Sequence, residues 1–221
     1  MATRQECARG GGRTTIYQST TNSPILENPQ LQADNAIMDK LCGLLILNKP
    51  AGVTSRDVVD VALRSVRPAK AGHAGTLDPL ATGVLVVCAG SATRLIRYVQ
   101  QMRKCYTGTF LLGRSSPTED IEGDVTELCN PLVPERDQIE EAAAGLTGDI
   151  LQRPPAFSAK KVLGQRAYAL ARLGKAVRLK SHRVTIHRLD VLRYEYPELV
   201  LNVECSSGAY VRSLGRDLAE R

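Results

Sequence analysis

A chain of 221 residues with 43% hydrophobic content is long enough for one sizeable core, or for a domain plus a tail. Its apolar stretches fall well short of the roughly 20 residues that a membrane-spanning helix needs, and without the apolar core of a secretory signal the expected compartment is the cytosol. The six cysteines lie far apart with no C-x-x-C pair, which speaks for reduced, mostly buried thiols and against a zinc site or disulfide framework.

The net charge of +6 is unevenly spread: Pro117–Asp149 holds ten acids and one base, Arg136, whereas Gln152–Arg193 holds eleven bases and one acid, Asp190. Pro79–Arg114 has no acid at all but carries Arg94, Arg97, Arg103, Lys104 and Arg114. Two basic segments flanking an acidic one imply a basic face that meets a polyanion, with nucleic acid the better reading than an ordinary solvated surface.

In chain order, residues 1–40 read as a flexible tail, rich in Ser, Thr, Gln, Asn and Gly and without periodicity. Gly43-Leu-Leu-Ile-Leu47 is a buried-strand candidate stopped by Asn48-Lys49-Pro50. Thr54 or Ser55 caps a helix running to about Val66, with Val58, Ala62 and Val66 on one face. A polar loop from about Ala69 to Pro79 precedes a strand at Gly83–Ala89, and Ser91 opens a short helix through Tyr98. Lys104–Leu112 alternates as a strand, and the acidic segment holds a loop and a helix near Glu135–Ala144. Beyond Pro154-Pro155 the pattern predicts a short strand, a helix at about Gln165–Leu173, strands at Val184–Tyr194 and Leu199–Cys205, and a last helix from about Ala209. Strands and helices alternate without repeated βαβ units, so the expected class is α+β: a mixed, largely antiparallel sheet flanked by helices.

The chemistry concentrates in Gly72–Leu85, where a single carboxylate, Asp78, lies between a leucine and a proline at the edge of a strand. Pro79 restricts the preceding residue to extended geometry, and the glycines at 72, 75 and 83 let the backbone bend close to a ligand. These features make Asp78 a candidate without assigning it a reaction; an isolated Asp-Pro is most often only a turn.

The eleven residues His73-Ala-Gly-Thr-Leu-Asp-Pro-Leu-Ala-Thr-Gly83 resemble the signature of TruB-type pseudouridine synthases, centred on their catalytic aspartate. Four further blocks resemble the family in order: Leu47–Ser55, Lys104-Cys-Tyr106, Pro154–Gly164 with Tyr168 and Ala171-Arg172, and Ser207–Leu218. The resemblance implies a tail over 1–40 and a catalytic domain over 41–221. It implies isomerisation of the T-loop uridine of tRNA (position 55), with Asp78 as the carboxylate acting on a flipped-out nucleotide. Arg212 would keep that carboxylate ionised and aimed. Tyr106 would stack on the uracil, Tyr210 and Leu77 would wall the pocket, and Lys49 would shape it. Asp120 matches a position that engages the arginine, and His73 one that fills the gap left by flipped bases. Lys160, Lys161, Arg166 and Arg172 would contact phosphate.

No metal or redox cofactor is implied, and the expected partner is the T-arm of tRNA, with no membrane, no obligatory protein partner and a monomeric state. A guide-RNA-dependent subunit is the first alternative and a tRNA-binding or folding module the second. The wording around Asp78 and the lack of a lysine-rich tail favour the stand-alone bacterial type. Three features depart from the family: Phe157 stands where tyrosine is usual, Arg114–Thr118 lacks the usual acid, and the chain stops at Arg221, where the family continues.

Overall fold

The computed structural model describes residues 3–6, 41–158, 160–162, 164–175, 177 and 179–221, with the backbone alone at 3–6 and 161. Strand β1 is Thr3–Glu6, so the expected tail is interrupted there, and its other residues lie outside the described ones. An exposed strand edge offers unpaired N–H and C=O groups, and polar residues can pair with it without leaving a periodic signature. The chain divides into two compact units, one from the described residues of Cys7–Gln101, the other from Met102–Arg221 with β1.

In the first unit β2 (Cys42–Lys49) is followed by helix α1 (Ser55–Val66), β3 (Ala71–His73) and β4 (Thr82–Gly90). A short 3-10 turn (Ser91–Leu95) leads into α2 (Ile96–Gln101). β4 pairs antiparallel with β2 on one side and β3 on the other. β3 falls inside the stretch read as loop, because three half-buried residues are too few to show alternation. Helix α1 starts at a capping box in which the Thr54 N–H donates to Asp57 Oδ2 (2.8 Å) and the Asp57 N–H to Thr54 Oγ1 (3.2 Å). The Thr54 hydroxyl also donates to Asp57 Oδ2 (2.7 Å), and this contact holds the Asp57 carboxyl below its ordinary value. The buried line of α1 is Val59, Ala62 and Val66, with Val58 turned half outward. Gly90 has φ +60°, and a Cβ there would lie 1.7 Å from the Leu41 carbonyl oxygen, so only glycine ends β4 this way.

The second unit continues with β5 (Lys104–Leu111), the hairpin β6 (Arg114–Ser115) and β7 (Thr126–Glu127), and α3 (Arg136–Ala144). After β8 (Gly148–Gln152) comes the hairpin β9 (Lys161–Val162) and β10 (Gln165–Arg166), then α4 (Ala167–Arg172). β11 (His182–Glu195), β12 (Glu198–Cys205) and α5 (Val211–Ala219) complete it. The sheet runs β1-β5-β12-β11-β8 with every neighbour antiparallel. The class is therefore α+β, as the residue pattern predicts.

The core is built by β12, whose Leu199, Leu201, Val203 and Cys205 all face inward, against Ile139, Ala143, Leu214 and Leu218 of α3 and α5. In β11 a register shift between Ile186 and Arg188 changes the phase of alternation, so Leu189 rather than Arg188 turns inward. β8 escapes the sequence pattern because its polarity is inverted: Leu151 is 70% exposed while Gln152 is fully buried. Gly215 lets α5 rest on Phe110, since a Cβ at 215 would stand 2.2 Å from the ring.

Candidate active site

In the first unit one loop joins β3 to β4 and carries Leu77 and Asp78. Ser55 at the start of α1 grips it twice: its hydroxyl accepts from the Leu77 N–H (2.9 Å) and donates to the Leu77 carbonyl (3.1 Å). Leu77 is thereby buried, while Asp78 beside it is exposed. The Ala81 N–H closes a turn on the Asp78 carbonyl (3.0 Å). Lys49 is fully buried, and its ammonium donates to the carbonyls of Pro50 (2.8 Å) and Pro79 (3.0 Å). The Gly52 N–H reaches the same Pro79 carbonyl at 2.9 Å. A buried ammonium persists only where such acceptors replace its hydration. Here they tie the two proline turns together beneath the carboxylate. His73 meets the Gly75 carbonyl through Nδ1 at 2.6 Å. A carbonyl only accepts, so Nδ1 is the donor in this contact. Lys49, Leu77, Asp78 and His73 thus sit on or under a single loop.

In the second unit Arg212, on the first turn of α5, is nearly enclosed. Its Nη1 donates to the Thr118 carbonyl (2.8 Å) and to Asp120 Oδ2 (3.0 Å), and its Nη2 to the Phe157 carbonyl (3.2 Å). Only 10% of the Arg212 side chain and 8% of the Asp120 side chain are exposed, so this is a buried, charge-assisted pair. Because Phe157 contributes its backbone, the missing tyrosine hydroxyl leaves that contact intact. Asp120 Oδ1 accepts from Thr118 Oγ1 (2.6 Å) and from the Glu122 N–H (3.0 Å).

Tyr106 lies half-buried on β5 opposite Val203 and packs against the core. Lys104, two residues before it, is pulled below its ordinary value by burial. Burial also pushes the Cys205 thiol, opposite Lys104, up to about 12. Tyr210 precedes α5, and its backbone is held at both ends by Gln152: Nε2 donates to the Tyr210 carbonyl (3.1 Å) and Oε1 accepts from its N–H (2.7 Å). The His182 ring stands edge-on to Tyr210 at 6.1 Å. Sequence reasoning misses Gln152, since a glutamine two residues before a proline pair gives no sign of being fully buried.

The basic block forms the β9–β10 hairpin and α4. Lys160 precedes β9 and Arg166 ends β10, the Lys161 side chain lies outside the described residues, and Arg172 stacks 5.5 Å over the half-exposed Tyr168 ring. The Lys160 and Ser158 carbonyls accept the Ala167 and Tyr168 N–H groups, which fixes the hairpin to the helix start. Among the described residues no group of three or more His, Cys, Asp or Glu could hold a metal ion, and no helix is long and apolar enough to cross a membrane.

The sequence matches a family described as the TruB family pseudouridylate synthase, N-terminal domain, over residues 63–211. It is 49% identical over 186 residues to tRNA pseudouridine synthase B of Arthrobacter sp. (strain FB24), a match covering 81% of this chain and 61% of that protein. With the protein of the same description from Thermobifida fusca (strain YX) it shares 47% over 189 residues, covering 80% and 63%. The chain spans about three-fifths of the length of the curated relatives it matches. Among solved structures, a chain of a Cbf5-Nop10-Gar1 complex aligns with TM-score 0.60 and 26% identity, over 90% of this chain and 50% of that one. One from an H/ACA RNP bound to a substrate RNA containing 2'-deoxyuridine shares the fold, with TM-score 0.57, 23% identity, and coverage of 90% and 49%.

Proposed function

Because the chain belongs to the TruB family of pseudouridylate synthases, we propose that it isomerises uridine to pseudouridine in tRNA, at the T-loop uridine (position 55), with Asp78 as the acting carboxylate. The observation that carries this reading is the Asp78 loop, in which an exposed carboxylate rides on a backbone pinned by Ser55 and a buried Lys49. The reaction breaks the bond between N1 and C1′, turns the uracil, and joins C5 to C1′; the proton lost from C5 is balanced by one gained at N1. No redox equivalent enters. A carboxylate serves by attacking C1′ or C6, or by assisting glycal formation. Tyr106 and Arg212 are assigned to the same reaction, Tyr106 as the stacking partner of the base. Lys160, Arg166 and Arg172 are assigned to phosphate, which supplies affinity and salt dependence more than sequence choice.

The test is incubation of the chain with an unmodified tRNA transcript, mapping pseudouridine by chemical sequencing, with Asp78→Asn alongside. Conversion at the T-loop uridine that vanishes in the variant is the expected result; equal conversion by both would remove Asp78 from the chemistry. The fold shared with the Cbf5-Nop10-Gar1 complex favours a second reading, a subunit that works with a guide RNA. Conversion only when a guide and partner proteins are supplied would establish it. Binding of tRNA without conversion under either condition would leave a binding module.

A further inference from the structure

The buried pair of Arg212 and Asp120 is held by a second one, one helical turn on. Arg216 donates from Nη1 to Glu119 Oε1 (2.5 Å), and Ser213 Oγ donates to Glu119 Oε2 (3.1 Å). Only 16% of the Arg216 side chain and 18% of the Glu119 side chain are exposed. Arg216 also donates from Nη2 to the Arg153 carbonyl (2.8 Å) and to Asp217 Oδ1 (2.7 Å), which anchors it independently of the loop. Burial works against its charge, but the Asp217 and Glu119 carboxylates outweigh that cost and hold the guanidinium above its ordinary value.

Glu119 has φ +57°, a left-handed conformation that costs a non-glycine residue on the order of 1–2 kcal/mol. Its geometric effect is specific. In an extended chain, successive side chains leave on opposite sides. The left-handed residue cancels that alternation, so the carboxylates of Glu119 and Asp120 both meet α5, at positions four apart on one helix face. The Glu119 N–H, donating to the Ser116 carbonyl at 3.0 Å, closes the turn.

We propose that Glu119 and Arg216 are positioning residues: their pair docks the β6–β7 loop on α5 and so sets Asp120 against Arg212. This deepens the proposed function and rests on it for its catalytic consequence. Docking itself is read without any substrate. Hydrogen exchange of the full chain decides it: in Glu119→Gln, amides within 116–122 exchange faster while those of β12 keep their protection. Unchanged exchange in the loop overturns the proposal.

The second readout is steady-state conversion of tRNA by Glu119→Gln, Asp120→Asn and their combination. A charge-assisted contact of this kind predicts a kcat about tenfold lower in Glu119→Gln, with KM within about twofold. The loss should not multiply with that of Asp120→Asn. An unchanged kcat in the folded variant, or a multiplicative double loss, overturns the positioning role. An inactive wild type sinks the functional reading and its predicted kcat effect, while the exchange result still decides the docking.

Discussion

The loop bearing Asp78 and the loop bearing Asp120 are held by different physics. The first is fixed through its main chain: the Ser55 hydroxyl on the Leu77 peptide, and the Gly52 N–H and the Lys49 ammonium on the Pro79 carbonyl. The second is fixed by guanidinium–carboxylate pairs, Arg212 with Asp120 and Arg216 with Glu119. Carbonyl and hydroxyl contacts act over a single bond length and hold a backbone path. Buried charges set the aim of side chains, and they exact a large penalty when one partner is lost. The difference shows where each kind is needed: the Asp78 carboxylate is presented by a rigid main chain, whereas Arg212 is itself the group being aimed.

The largest expected effect lies in the charged loop. Arg212→Met strands the Asp120 carboxylate in a buried setting and should cost about 3–5 kcal/mol, seen as a lower midpoint in urea unfolding. A cost under about 1 kcal/mol would show that water reaches the pair and would erase the contrast with the first loop. Lys49→Met comes next: two carbonyls lose a buried donor, with an expected cost of about 2–3 kcal/mol and a fall in turnover through the displaced Asp78 loop. Ser55→Ala removes one donor and one acceptor from Leu77 and should cost about 1–2 kcal/mol, with faster exchange at the Leu77 amide as the local check. Unprotected exchange there in the wild type would break the picture of a rigid main chain.

The remaining effect is a slope with pH. Burial raises the Cys205 thiol from 9.0 to about 12, so between those values the unfolded chain has lost a proton that the folded chain keeps. Stability is full below the lower value and declines as pH rises through the window. Urea midpoints across that range should fall, and Cys205→Ala should flatten the slope. Cys42 and Cys129 are exposed, so a thiol reagent should label them while Cys205 stays inert.

Much of the fold is legible in local pattern. The capping residue Thr54, the alternation of β12 and the amphipathic spacing of Leu214 and Leu218 each report one face or one terminus of an element. β3 and β8 escape, the first for shortness and the second because an exposed Leu151 and a buried Gln152 reverse the usual code. Of the candidate residues, Asp78 and Leu77 lie on one loop, and contacts across 22 to 30 residues tie it to Ser55 and Lys49. Arg212 finds Asp120 across 92 residues and Arg216 finds Glu119 across 97. Glu119 and Arg216 carry no signal of their own, since a charge run is ordinarily a solvated face.

Neighbours along the chain suffice for the family, for the candidacy of Asp78 and for the periodic elements, because motif, cap and alternation are local properties. Tertiary packing is what buries Gln152 on the Tyr210 backbone, brings the Phe157 carbonyl to Arg212, and sets two consecutive carboxylates on one helix face. Those outcomes depend on which groups lose water together, and desolvation is settled by packing between segments 55 to 97 residues apart, which no local pattern encodes.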